Sequence, residues 1–253
     1  VGVLSKPGKP AGRGQKVRQT PVSDAAIEYD LDLITPHSIN SDSSQDWLDQ
    51  KSPDALVVIA YERLLSRRVL SGRFACNLHA SLLPRWRGAA PIHRAVLAAD
   101  EEIGASVIEL APSMDSGAIF AQKSVQRDPL ITTGEWHDRM AGWGPELILG
   151  TLEAFAAGKL TPIPQDPQSA SHAKKLEKSE GVFDPCLSSE LALAQIHGLE
   201  PWPRCSTVIA GVRVQLRRAR MAQSGPEPAG MVNELGQFRC CDGWIKITQV
   251  QAE

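Results

Sequence analysis

Six consecutive apolar residues, Ala55-Leu56-Val57-Val58-Ile59-Ala60, constrain this chain more than any other stretch. Such a run is far too short to span a membrane, which takes ~20 apolar residues. It also lacks the alternation of a strand with one wet face. It reads as a strand buried on both faces, the pattern of a parallel sheet covered by helices. Ser23 to Tyr29 and Ser44 to Lys51 suit short helices, Leu31 to Ile34 a short strand, and Val1 to Leu4 the inside of another buried strand. Pro91 to Ala99 predicts a helix with proline in its first turn and Ile92, Ala95, Val96 and Ala99 along one face. Ser106 to Leu110 and Ile119 to Val125 are strand candidates. Thr133 is placed to cap a longer helix over Glu135 to Ala157, closed by Gly158. The alternation predicts an α/β fold with a Rossmann-like, open and mainly parallel sheet.

The character changes after residue 161. Pro162 to Ser171 is rich in proline, glutamine and serine and reads as a linker. Ser188 to Gly198 predicts one more short helix. Val212, Val214 and Leu216 then alternate with Arg213, Gln215 and Arg217, and Ile245 and Ile247 with Lys246 and Thr248. Period-two strands separated by glycine turns predict a small, OB-like β-barrel. The expected division is a first domain over 1–161, a linker over 162–175 and a barrel over 176–253.

Composition bounds the function. Of the 253 residues, 42% are hydrophobic and 22% charged, which excludes wholesale disorder. A formal charge of -2 excludes a globally basic nucleic-acid coat. Five cysteines form an odd set without a Cys-x-x-Cys pair, which argues against a disulfide framework and a structural zinc site and for a reducing compartment. No secretory signal opens the chain, so an intracellular protein without a membrane partner is expected. The local exception is the stretch from Ser5 to Arg18, where Lys6, Lys9, Arg13, Lys16 and Arg18 stand among glycines and prolines without an acid. Composition leaves it open whether this loop is merely solvated or tracks phosphates.

Chemistry concentrates between Ala75 and Ala95, which reads ACNLHASLLPRWRGAAPIHRA. On a strand, Asn77 and His79 point to the same face, and an amide beside an imidazole makes a donor pair for a developing oxyanion. Met114-Asp115-Ser116-Gly117 places an acid in a tight turn between two predicted strands, where an aspartate is also an ordinary turn former. Together these segments resemble the methionyl-tRNA formyltransferase family. The Asn77 to Ile92 run resembles its signature, Pro10-Ala11-Gly12-Arg13-Gly14 its tRNA-facing loop, the stretch from His172 to Asp184 the start of its C-terminal region, and Leu199 to Pro203 its entry to the barrel.

The resemblance implies transfer of a formyl group from 10-formyltetrahydrofolate to the amino group of methionyl initiator tRNA, without a metal, by a cytoplasmic monomer (or in an organelle matrix, in a eukaryote). It carries the catalytic roles to Asn77, His79 and Asp115, and folate contacts to Tyr61, Ser81, Leu82, Leu83 and Pro84. It assigns tRNA contacts to Arg13, Lys16, Arg18, Arg213 and Arg217, although Arg213 to Arg220 alone would equally suit a solvated strand face. Glu62 stands where that family carries glycine and is expected to crowd the folate edge. The family opens with a strand and a helix ahead of the position of Val1, so residues before Val1 are expected in the natural chain. Other acceptors remain open at this point: a small amine or water in place of the tRNA, or a tRNA-binding protein with a decayed folate site.

Overall fold

The computed structural model describes residues 1–11, 15–61, 63–111 and 113–252. It divides into two compact units, Val1–Cys76 and Asn77–Glu253.

In the first unit, β1 (Gly2–Leu4) bridges in parallel to β4 (Asp32–Ile34), which follows α1 (Pro21–Glu28). Thr20 caps α1 by accepting the Ser23 N–H at 3.1 Å. The predicted basic loop is here a short antiparallel hairpin of β2 (Lys9–Ala11) and β3 (Lys16–Arg18), with Lys9 opposite Arg18. Beyond it, α2 (Asp42–Lys51), β5 (Ala55–Ile59) and α3 (Arg67–Leu70) surround a small core of Ile39, Leu48 and Val69. Two expectations fail here. β1 is half-exposed rather than deeply buried, and β5 leaves Val57 40% and Ile59 55% exposed. The apolar run forms a strand, as its β-branched residues favour, but its second face is not covered within this unit.

β6 (Phe74–His79) ends in the second unit. In that unit β8 (Glu102–Glu109) and β9 (Ile119–Gln126) pair antiparallel. The short β7 (Arg87–Gly88) leads into α4 (Pro91–Leu97), which buries Ile92, Ala95 and Val96 against Ile103, Trp136 and Met140. Ala99 falls past the end of α4 at φ +54° instead of extending its apolar face. The long α5 (Thr133–Ala156) is capped by Thr132, one residue before the expected cap, because Glu135 then occupies the third helical position and closes a reciprocal capping box. Gly144 of α5 leaves room for Leu78, so Asn77 and His79 face away from that helix.

Residues 162–175 carry named contacts: Ile163 bridges Ile119, and β10 (His172–Ala173) pairs in parallel with β7. The C-terminal part is α6 (Ser189–Gly198) packed on an antiparallel sheet of β11 (Cys205–Ile209), β12 (Val212–Ala222), β14 (Trp244–Ala252) and β13 (Gln237–Arg239), in that order. Leu193, Ile196, Leu216, Phe238 and Ile245 form its core, with Phe183 edge-on to Phe238 at 5.3 Å.

Candidate active site

The end of β6 carries both residues that the sequence places on one face. His79 is 6% exposed, and its Nε2–H donates to the Trp86 carbonyl at 2.9 Å. That bond puts the proton of the neutral ring on Nε2 and leaves a lone pair on Nδ1. Asp115 Oδ2 lies 3.6 Å from Nδ1 and accepts the Gly88 N–H at 2.9 Å. The carboxylate therefore faces the nitrogen that would carry positive charge after protonation. Asn77 is half-buried, and among the described residues its amide has no hydrogen-bond partner. The trio is thus an oriented imidazole–carboxylate pair beside an unspent amide donor.

Local backbone geometry places these groups. Asp115 sits at φ +51°, a left-handed conformation that aspartate tolerates in turns. The returning chain passes so close to β8 that a Cβ on Gly117 would lie 1.9 Å from the Glu109 carbonyl oxygen, so glycine is required. Trp86 is also left-handed, at φ +64°; its indole donates to Asp100 at 2.6 Å, and Arg85 both pairs with Asp100 and stacks on the ring.

The expected folate contacts divide. Ser81 is 2% exposed and spends its hydroxyl on the Arg85 carbonyl at 2.7 Å. Leu83 is buried with Ile108 and Ile119. Its N–H donates to Ser106 Oγ at 3.1 Å, and its carbonyl accepts from Gln122 at 2.9 Å. Ser106 Oγ in turn donates to the Ser81 carbonyl at 2.7 Å. These bonds, with those from Arg85 N–H to the Leu82 carbonyl and from Ser171 N–H to the Pro84 carbonyl, shape the loop through Pro84. Tyr61 belongs to the first unit, where it packs against that unit's core. A cleft of about 360 Å³ runs along the same loop between Ser81, Leu82, Trp86 and Gly104, but Asp100, Glu101 and Glu102 line it and none of the trio does.

Arg13 and Glu62 lie outside the described residues. Lys16 and Arg18 are exposed on the hairpin. Arg213 is exposed on β12, whereas Arg217 forks onto Glu200 at 2.7 and 2.5 Å and also reaches Gln251. Arg218, not assigned a contact from the sequence, pairs with Glu135 at 2.6 Å. Sequence reasoning missed Trp86, Gly88, Ser106, Gln122 and Gln165. The first two act through backbone atoms, which no side chain advertises; Gln165 lay in a stretch whose composition reads as a linker. Among the described residues no three His, Cys, Asp or Glu side chains gather as a metal site, and no helix is long and apolar enough to cross a membrane.

Comparison with known proteins extends the geometry. Residues 1–152 match the formyl transferase family model and residues 175–253 the model of the formyl transferase C-terminal domain. The chain is 36% identical over 255 residues to a methionyl-tRNA formyltransferase of Methylococcus capsulatus, covering 98% of this chain and 83% of that protein. Against the enzyme of the same name from Moorella thermoacetica the identity is 38% over 256 residues, covering 98% and 82%. Among solved structures, an N-formyltransferase from Helicobacter canadensis in complex with folinic acid and dTDP-3-aminofucose shares the fold, with a TM-score of 0.74 at 14% identity over 98% of this chain and 87% of that one. Both family models and an identity above a third over 98% of this chain converge: the chain is a member of the methionyl-tRNA formyltransferase family.

Proposed function

We propose that this chain transfers the formyl group of 10-formyltetrahydrofolate to the α-amino group of methionyl initiator tRNA. The relatives' name supports the acceptor, and the folinic acid in the solved neighbour supports a folate donor. The observation that carries the chemistry is the Asp115 carboxylate held between the Gly88 N–H and His79 Nδ1, with the Asn77 amide unspent on the same strand end. When bound, the formyl-folate supplies an activated carbonyl carbon.

Every other part of the reaction falls to side chains of this chain. As the amine nitrogen bonds to the formyl carbon, Asn77 donates to the oxygen that gains charge. His79 Nδ1 takes the proton that the nitrogen must lose, and Asp115 stabilises the resulting imidazolium. When the C–N bond to the folate breaks, the His79 imidazolium returns that proton to the departing nitrogen, which leaves neutral His79, tetrahydrofolate and N-formylmethionyl-tRNA. We assign His79 the proton-handling role and Asn77 the oxyanion, a narrower division than the sequence alone suggests; the Nδ1 lone pair facing Asp115 supports it. Leu82 would pack against the folate ring; Ser81, Leu83 and Pro84 keep that loop in shape.

For the tRNA, Lys9 opposite Arg18 in the hairpin sets like charges across a strand pair, an arrangement that costs stability unless an anion lies against it. Lys16, Arg18 and Arg213 are the contacts we assign to the phosphate backbone. We read the C-terminal sheet as part of a small OB-like barrel within residues 176–253, following a formyl-transferring domain over 1–161, in a cytoplasmic monomer. The test supplies 10-formyltetrahydrofolate with methionyl initiator tRNA, a sugar-nucleotide amine, or no acceptor. Formylation of the charged tRNA alone is expected. Formylation of the sugar amine in its place, or formate release without an acceptor, would overturn the acceptor assignment.

A further inference from the structure

The strand end and the turn that carry the catalytic groups are tied together from outside, by the stretch between Gln165 and Ala173. Ser171 Oγ accepts the Trp86 N–H at 2.9 Å and its carbonyl accepts the Arg87 N–H at 2.8 Å. The Ala173 carbonyl accepts the Ala89 N–H at 2.9 Å. The most heavily used member is Gln165. Its Nε2 donates to the carbonyls of Asp115 and Gly117 at 2.9 and 2.7 Å, while Oε1 accepts from Arg87 Nε and Nη2 at 3.0 and 2.8 Å. That is the full hydrogen-bonding capacity of a glutamine amide. One of the four bonds holds the backbone of Asp115, whose carboxylate faces His79, a second holds Gly117 in the same turn, and two hold the side chain next to Gly88, whose N–H orients that carboxylate.

We propose that Gln165 is a positioning residue for formyl transfer: its amide ties the Asp115 turn to the Arg87–Gly88 strand and so keeps the carboxylate opposite His79. The proposal rests on the roles assigned above to Asp115 and His79. A left-handed turn residue has few backbone contacts to fix it, and the Gln165 bridge acts on Asp115 and Gly88 together. Gln165 touches no reacting atom. It acts through Asp115, so its removal is expected to slow the chemical step without weakening the binding of either substrate.

Gln165→Met keeps the length and loses all four bonds. Since a misplacement of ~1 Å can cost about a hundredfold in rate, kcat is expected to fall about 10- to 100-fold. The KM values for 10-formyltetrahydrofolate and methionyl-tRNA should stay within about twofold, the pattern of an interaction felt only in the transition state. In an Asp115→Asn background the same change should cost less than about twofold more, because effects that run through one residue are not additive. An equal loss in both backgrounds, an unchanged kcat, or a rise in KM alone would overturn the proposal. If Gln165→Met does not fold by circular dichroism, Gln165→Glu takes its place: it keeps the Arg87 partner but cannot donate to the two carbonyls. Its kcat should fall likewise, and full activity would overturn the proposal. Asp115→Asn with full activity would instead defeat the assignment of Asp115 itself, so the two failures are distinguishable.

Discussion

His197 shows how a single buried group ties stability to pH. It is 1% exposed; Nδ1–H donates to the Pro129 carbonyl at 2.8 Å and Nε2 accepts the Ala219 N–H at 3.1 Å. The Nε2 bond needs the neutral ring, and burial pushes the His197 pKa below the ordinary value near 6.5, against the Pro129 bond, which would raise it. Above pH 6.5 neither folded nor unfolded chain holds the extra proton, and stability is unaffected. As the pH falls below that value the unfolded chain takes up a proton that the folded chain refuses, so stability falls until the lowered folded pKa is passed. Urea midpoints from pH 8 to pH 5 should therefore decline, and His197→Gln should be less stable at pH 8 yet decline less. An unchanged slope in that variant would exclude His197 as the cause and leave His93, whose pKa burial and Arg94 also lower. Asn77 makes the opposite kind of prediction. Asn77→Ala should leave the melting temperature near that of the parent and cut kcat about 10²–10³-fold, the usual cost of one oxyanion donor; retention of full activity would remove Asn77 from the mechanism. Strand spacing made it legible that Asn77 and His79 share a face, whereas Asp115 came into view only through the family resemblance, because an acid in a turn is ordinarily a turn former. The Trp86 carbonyl and the Gly88 N–H were not, because any residue supplies those atoms.

Among the elements, α5 was nearly legible, and β5 was legible as a strand but not in its burial. The Thr132-Thr133-Gly134-Glu135 spacing is that of a capping box, and choosing Thr133 as the cap overlooked where Glu135 must then fall. Thr132→Ala should cost about 0.5–2 kcal/mol, readable as a lower melting temperature at neutral pH; no change would mean that Arg218 holds this helix end by itself. Burial alone would raise the Glu135 pKa, yet the Arg218 guanidinium with the Thr132 N–H and hydroxyl brings it down to about 2. That contribution is present above the ordinary value of 4.5 and is lost as the pH falls toward 2. The β5 run misled because continuous apolarity reports strand propensity, whereas burial depends on what packs over each face. On β12, alternation suggested that Arg217 faces solvent, but a register shift after Leu216 turns it onto Glu200, which is 8% exposed. Arg217→Ala should thus destabilise the fold by roughly 3 kcal/mol, by stranding a buried carboxylate. Glu200→Gln with Arg217→Ala should recover part of it, measured by urea denaturation. Weaker tRNA binding in Arg217→Ala would then report the fold, and Arg213→Ala is the cleaner probe of a phosphate contact.

For the whole molecule, composition suggests a catalytic domain, a tether and a barrel, but contacts in the second unit run across that division. Thr133 Oγ1 donates to the Gly198 carbonyl at 2.9 Å, Gly134 N–H to the Glu200 carbonyl at 3.2 Å, and Arg94 and Arg127 pair with Glu180 and Glu190. With His197 also bonded to Pro129, native-state hydrogen exchange should give the slowest amides of β8 and β12 one shared opening free energy. Exchange of β12 well ahead of β8 would show separately melting parts. The stretch over 162–175 makes bonds that its composition does not announce: proline, glutamine and serine lack the apolar surface that signals packing, yet their polar groups still find partners. This bears on how such chains can be recombined. A crossover that grafts a foreign C-terminal module at residue 162 would discard the Gln165, Ser171 and Ala173 partners of the catalytic loops. Hybrids joined after Ala173 are the ones that should keep the parental turnover.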